Sequence, residues 1–154
     1  MALEVGSVAP PFSLPGRGGR SVSLAALAGR KLVLYFYPKD DTSGCTKEAQ
    51  EFNALRGAFE AAGTEIVGMS PDGPSSKEKF AAKYGLDLEL VADEAKTTLQ
   101  AYGVWAQKSM YGRKYMGVER TTFLIGADSR IARVWRDVKV PGHAAEVLEA
   151  ARAL

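Results

Sequence analysis

YFYPKDDTSGCTKEAQEF, residues 35–52, holds the sole cysteine of a 154-residue chain, Cys45. Upstream, KLVLYFYP (31–38) is an unbroken apolar run that ends at Pro38. Such a run suits a strand buried on both faces of a sheet. Downstream, Phe52, Leu55, Phe59 and Ala62 recur at three- and four-residue spacing, which predicts a helix over 44–62 closed by Gly63. Cys45 therefore falls in the first turn of a helix that follows a buried strand.

Working outward, strands and helices alternate. TEIVGMS (64–70) reads as the next strand, and Ser75 with Glu78 forms a capping-box pattern for a helix running to Tyr84, with Gly85 after it. ELVAD (89–93) reads as a short strand, and Asp93 as the cap of a short helix ending at Tyr102-Gly103. Residues 106–118, rich in Gly, Tyr, Met and basic side chains, read as a loop. RTTFLI and RIARVW, joined by Gly126–Ser129, form an antiparallel hairpin, and 143–153 a last helix. Residues 6–20 are a Gly- and Pro-rich lead-in with a short hairpin. This order implies an α/β fold, a mixed central sheet flanked by helices with the hairpin as its antiparallel edge. The length fits a single domain over 1–154, large enough to bury a hydrophobic core.

Composition excludes several classes. The net charge of +2 is too small for a nucleic-acid surface, even with Lys108, Arg113 and Lys114 interleaved with Tyr111 and Tyr115. One cysteine makes no disulfide scaffold, and one Cys with one His makes no metal cluster. MALEVGSVAPPF lacks the basic and long apolar regions of a secretory signal. No run approaches the roughly 18 apolar residues of a membrane span. The expectation is a soluble cytoplasmic protein.

A lone cysteine is often a small buried hydrophobe. Cys45, however, has polar or small neighbours: Thr42, Ser43, Gly44, Thr46 and Lys47. At a helix start, free N–H groups and the positive dipole end favour the thiolate over the thiol, whose ordinary pKa is about 8.5. Gly44 lets a substrate atom approach the backbone, and Thr42 offers a hydroxyl that both accepts and donates. Asp40 and Asp41 would oppose a thiolate if they faced it, so they are expected to face water. A cation should assist, with Lys39, Lys47 and Arg120 as candidates.

The pattern P-x-x-x-T-x-x-C, here Pro38, Thr42 and Cys45, resembles the active-site signature of the peroxiredoxins. YFYPKDDTSGCTKEA is similar to their bacterioferritin-comigratory, or Q-type, branch. The similarity continues through ELVADE, SMYGRKYMGVERTTFLI and VKVPGHAAEVL, nearly the whole chain. The resemblance implies a thioredoxin-like fold and reduction of hydrogen peroxide and organic hydroperoxides, with no metal or organic cofactor. It makes Cys45 the peroxidatic nucleophile, Thr42 the residue that orients the peroxide, and Pro38 the shield against water. Arg120 polarises the peroxide and holds Cys45 ionised, and the backbone near Gly44 stabilises the leaving oxygen. Met110 and Tyr111 wall the pocket for organic hydroperoxides. A role in antioxidant defence and redox homeostasis follows.

The chain departs from that branch in two places. Many members carry a resolving cysteine five residues after the first, where Gln50 stands here; others place it in the following helix, where KEKFAAKYG has none. The sulfenic acid must then meet an outside thiol: glutathione, a glutaredoxin, a thioredoxin, or Cys45 of another copy. The expected state is a monomer, with a weak or disulfide-linked dimer as the alternative. Ser43 also replaces a common proline. A thiol–disulfide oxidoreductase would need C-x-x-C, and Glu48 occupies the second position. A Cys–His hydrolase would need His143 beside the thiolate, whereas its place after Pro141-Gly142 marks a helix start. A holdase or redox sensor built on Cys45 oxidation stays open.

Overall fold

The computed structural model describes residues 3–154. A small hairpin, β1 (Ser13–Pro15) and β2 (Ser21–Ser23), precedes a one-turn helix, α1 (Leu24–Leu27). Next come β3 (Lys31–Phe36), α2 (Ser43–Ala54) and α3 (Arg56–Ala61). β4 (Thr64–Ser70), α4 (Pro74–Tyr84), β5 (Glu89–Ala92) and α5 (Thr97–Ala101) follow. The last third holds β6 (Trp105–Met110), β7 (Arg113–Val118), β8 (Thr121–Ile125), β9 (Ile131–Trp135) and α6 (His143–Ala153).

Five strands form the central sheet in the order β5-β4-β3-β8-β9. β3, β4 and β5 are parallel, while β8 runs antiparallel to β3 and β9 to β8. The mixed sheet and its antiparallel edge agree with the sequence reading. The unbroken run in β3 is explained by its central position. Val33, Tyr35 and Tyr37 face one core with Cys45, Ala49, Phe52 and residues of α6. Leu32, Leu34 and Phe36 face the other with Val67, Met69, Tyr102 and Phe123. Both faces are covered, so neither can be polar. Tyr35 lies across its β4 partner Gly68, where a Cβ would come within 2.7 Å of the ring.

Five expectations need correction. The helix over 44–62 is two helices. Leu55 N bonds to Phe52 O at 3.1 Å, tightening the turn between α2 and α3. Phe52 and Phe59 still share one core, 6.0 Å apart between ring centroids. The Ser75–Glu78 capping box does not form. Pro74, with no N–H to satisfy, takes the first helical position after Gly73, and Glu78 Oε1 instead accepts a bond from Gly18 N at 2.5 Å. Residues 106–118 are no loop but the β6–β7 hairpin, closed by Tyr111 and Gly112 at positive φ of 52° and 77°. Two left-handed residues match the twist of a tight hairpin turn. Asp40 is buried rather than facing water. Finally, the N-cap residue of α5 is Lys96 rather than Asp93, but the Asp93 carboxylate still reaches the first turn from four residues upstream, its Oδ2 accepting from Leu99 N at 2.8 Å.

Candidate active site

β3 ends at Phe36, and the chain crosses Pro38–Thr42 before entering α2. Thr42 is the N-cap residue of α2, in extended conformation, but its hydroxyl does not cap the helix. Thr42 Oγ1 donates to Lys39 O at 2.9 Å, which leaves its lone pairs and the first N–H groups of α2 open to another partner. Cys45 sits in the first turn, as the sequence placed it.

Cys45 is only 1% exposed despite its polar neighbours. Helix geometry supplies the reason. Cys45, Glu48, Ala49 and Phe52 share the face of α2 turned to the core, while Ser43 and Lys47 lie on its exposed side. Burial is here combined with a cation. Arg120, between β7 and β8, donates Nη2 to Cys45 Sγ at 3.2 Å and Nη1 to Glu48 Oε1 at 2.6 Å. Gly44 makes room for this: a Cβ there would stand 3.3 Å from Arg120 Nη2. Lys39 and Lys47, the other candidate cations, are exposed.

The charges are coupled through Arg120. Burial opposes its guanidinium, but Glu48 and Cys45 outweigh that and push its pKa up, so it stays charged. Burial raises Glu48 to about 7 against the pull of Arg120. Among the described residues the buried Glu48 Oε2 finds no hydrogen-bond partner. Glu48 carried no functional role in the sequence reading. The available signal was its spacing: a carboxylate three residues after Cys45, on the same helical face as Ala49 and Phe52.

Asp40 and Asp41 are both neutralised, but by different means. Asp40 is held inside by Lys77, with Nζ 3.1 Å from each carboxylate oxygen. Asp41, near the surface, accepts from Lys83 Nζ at 2.8 Å and from Tyr84 Oη. Met110 and Tyr111 lie at the tip of the β6–β7 hairpin, 56% and 99% exposed. Tyr111 packs against nothing there. His143 is no partner of the thiolate. Its Nε2 and Thr122 Oγ1 are 2.8 Å apart, its ring packs edge-on to Phe52 and Trp135, and burial lowers its pKa to about 4.

A buried cysteine at a helix start, held by an arginine that a carboxylate steadies, is an arrangement suited to thiol chemistry. Residues 5–134 match the model of the AhpC/TSA family. The chain is 47% identical to the putative peroxiredoxin bcp of Coxiella burnetii, covering 96% of this chain and 98% of that protein. It is 42% identical to the peroxiredoxin Bcp of Bacillus subtilis, covering 97% and 95%. Among solved structures, Xanthomonas campestris peroxiredoxin Q aligns with a TM-score of 0.90 at 43% identity over 98% and 96% of the two chains. A Xylella fastidiosa PrxQ mutant aligns at 0.93 with 39% identity over 99% and 98%.

The chain thus belongs to the AhpC/TSA family and, within it, to the BCP/PrxQ peroxiredoxins, with their thioredoxin-like fold. It is a thiol-dependent peroxidase whose single cysteine, Cys45, is the peroxidatic residue. The Xanthomonas protein has been solved as serine mutants at two different cysteines; this sequence has one. Among the described residues no helix is long and apolar enough to cross a membrane.

Proposed function

We propose that this chain reduces hydrogen peroxide and organic hydroperoxides and is regenerated by an external thiol, in cytoplasmic antioxidant defence and redox homeostasis. The observation that carries this reading is Arg120, which contacts Cys45 Sγ through one nitrogen and Glu48 through another. The Cys45 thiolate attacks one peroxide oxygen. The S–O bond forms, the O–O bond breaks, and the other oxygen leaves with the electron pair and takes a proton. The products are a sulfenic acid and water or an alcohol. Charge grows on the leaving oxygen, where Arg120 and the N–H groups of Gly44 and Cys45 stabilise it. Thr42 Oγ1, already donating to Lys39 O, accepts from the peroxide O–H and orients it. Pro38, half-buried at the strand exit, keeps water from the sulfur.

Alkyl peroxide reduction by the Xanthomonas bacterioferritin comigratory protein supports extending the substrates to organic hydroperoxides. Met110 and Tyr111, at the hairpin tip, receive the organic portion. Gln50 stands where a resolving cysteine would, and the chain has no other thiol. One domain over 1–154 acts as a monomer on this reading; with no second thiol, its sulfenic acid is reduced by glutathione, a glutaredoxin or a thioredoxin, or it reacts with Cys45 of another copy to form a disulfide-linked dimer. One equivalent of peroxide should give a one-oxygen adduct at Cys45 by intact mass, and at least one of these thiols should restore the reduced chain. An adduct that none of them restores would refute external-thiol turnover.

A further inference from the structure

On the α4 side of the Pro38–Thr42 loop lies a second buried ion pair that the peroxide chemistry above does not use. The side chains of Lys77 and Asp40 are 0% and 4% exposed. Every polar atom of the pair is occupied. Asp40 Oδ1 accepts from Tyr37 Oη at 2.6 Å and Oδ2 from Ser76 Oγ at 2.7 Å, and each oxygen also accepts from Lys77 Nζ at 3.1 Å. Lys77 Nζ also bonds to Ser70 Oγ and lies 5.2 Å from the centre of the Tyr37 ring. The Asp40 N–H donates to Asp72 Oδ2 at 2.6 Å. The network joins the ends of β3 and β4, the start of α4, and the loop that carries Pro38 and Thr42.

A buried ion pair is weak evidence of a stabilising role, because well-packed apolar side chains often do as well or better. Its position suggests another use. Asp40 lies midway between Pro38 and Thr42, so fixing it fixes both. Asp41 ties the same loop to the far end of α4 through Lys83 and Tyr84. Cys45, Tyr35, Tyr37 and Phe80 share one core, and Tyr35 feels Glu48, Cys45 and Asp40 together. Lys77 is within electrostatic reach of the sulfur. Burial lowers its pKa, while Asp40, Asp72 and Cys45 all favour its charged form.

We propose that Lys77 and Asp40 are a positioning pair of the peroxidatic site, locking the Pro38–Thr42 loop onto α4 and supplying a second set of charges that Cys45 meets. This rests on Cys45 being the reacting thiolate. The charged and titratable groups that meet Cys45 are Arg120 before β8, Tyr35 on β3 and Lys77 on α4; behind them stand Glu48 on Arg120, Asp40 and Asp72 on Lys77, Tyr37 on Asp40, and His143 of α6 against Phe52.

The test compares the wild type with Lys77→Met and Asp40→Asn in pre-steady-state oxidation by hydrogen peroxide across pH, with thermal melting alongside. A fast wild-type reaction establishes the site itself, so its absence would count against the peroxidase reading and not this pair. Loss of the cation should move the pH midpoint of the reaction up, and loss of the anion should move it down, each by about half a unit or more. A merely structural pair would lower both melting temperatures and leave the midpoints unmoved, or shift them the same way; either result overturns the proposal. Should a single variant fail to fold, Lys77→Met/Asp40→Leu, which leaves no unpaired buried charge, decides instead. A rate lowered about tenfold above the midpoint supports loop positioning, and an unchanged rate overturns it.

Discussion

The peroxidatic cluster and the β6–β7 hairpin both lie in segments that resemble the Q-type branch, but they are built by opposite means. Cys45, Glu48 and Arg120 come from positions up to 75 residues apart and are brought within hydrogen-bonding distance by the core. The hairpin is made of local pairs, Lys108 opposite Tyr115 and Met110 opposite Arg113, and presents Met110, Tyr111, Tyr115 and Met116 to solvent. Groups that must meet a reacting atom are fixed by long-range packing. On the function proposed above, the hairpin tip meets only the variable part of a substrate and needs no such fixing.

That contrast can be broken at its strongest point first. Cys45→Ser should abolish peroxide reduction, measured as peroxide consumption in the presence of thiol. Arg120→Ala should cost about 10²–10³-fold in the rate of Cys45 oxidation, the scale for losing one preorganised donor. It should also raise the pH midpoint of that reaction. A variant with the wild-type rate and midpoint would remove Arg120 from the mechanism.

Two of the buried titratable groups, Glu48 and His143, give opposite slopes of stability against pH. Glu48 is raised in the folded state to about 7 from 4.5, so its contribution is complete below pH 4.5 and is lost as pH rises through 7. Glu48→Gln should remove that decline. His143 is depressed to about 4 from 6.5, so its contribution is complete above pH 6.5 and is lost as pH falls through 4. Denaturant unfolding of His143→Phe across pH 4–7 should show a flatter acid limb than the wild type.

The smallest effects belong to the hairpin tip. Met110→Ala and Tyr111→Ala should change stability by no more than about 0.5 kcal/mol, since neither fills a core. With a bulky organic hydroperoxide they should raise KM, and with hydrogen peroxide leave it in place. Equal effects on both substrates would place the tip outside substrate binding.

How much of this was legible in the sequence depended on how local the cause was. β4 and α6 matched to the residue, and β3 closely, because apolar runs and Gly boundaries are local signals. The hairpin over 105–118 was missed because its strands are exposed and lack apolar alternation, and because its turn depends on a left-handed Tyr111. Arg120 was one of three candidate cations, and only the family resemblance singled it out, since no spacing rule brings it to Cys45. Two adjacent aspartates in a polar loop read as solvated, yet Asp40 is buried by a lysine 37 positions away. The signal for that was present in α4: Lys77 lies on the same helical stripe as Phe80, Ala81 and Tyr84, where an unpaired lysine would not be stable.

The most direct measurement is the stopped-flow rate of Cys45 oxidation by hydrogen peroxide, with sulfenic-acid trapping to confirm the product. An assembled peroxidatic site predicts a reaction orders of magnitude faster than free cysteine at the same pH. A rate equal to that of free cysteine would mean that Arg120 and the start of α2 do not activate the sulfur, and would contradict the mechanism at its centre.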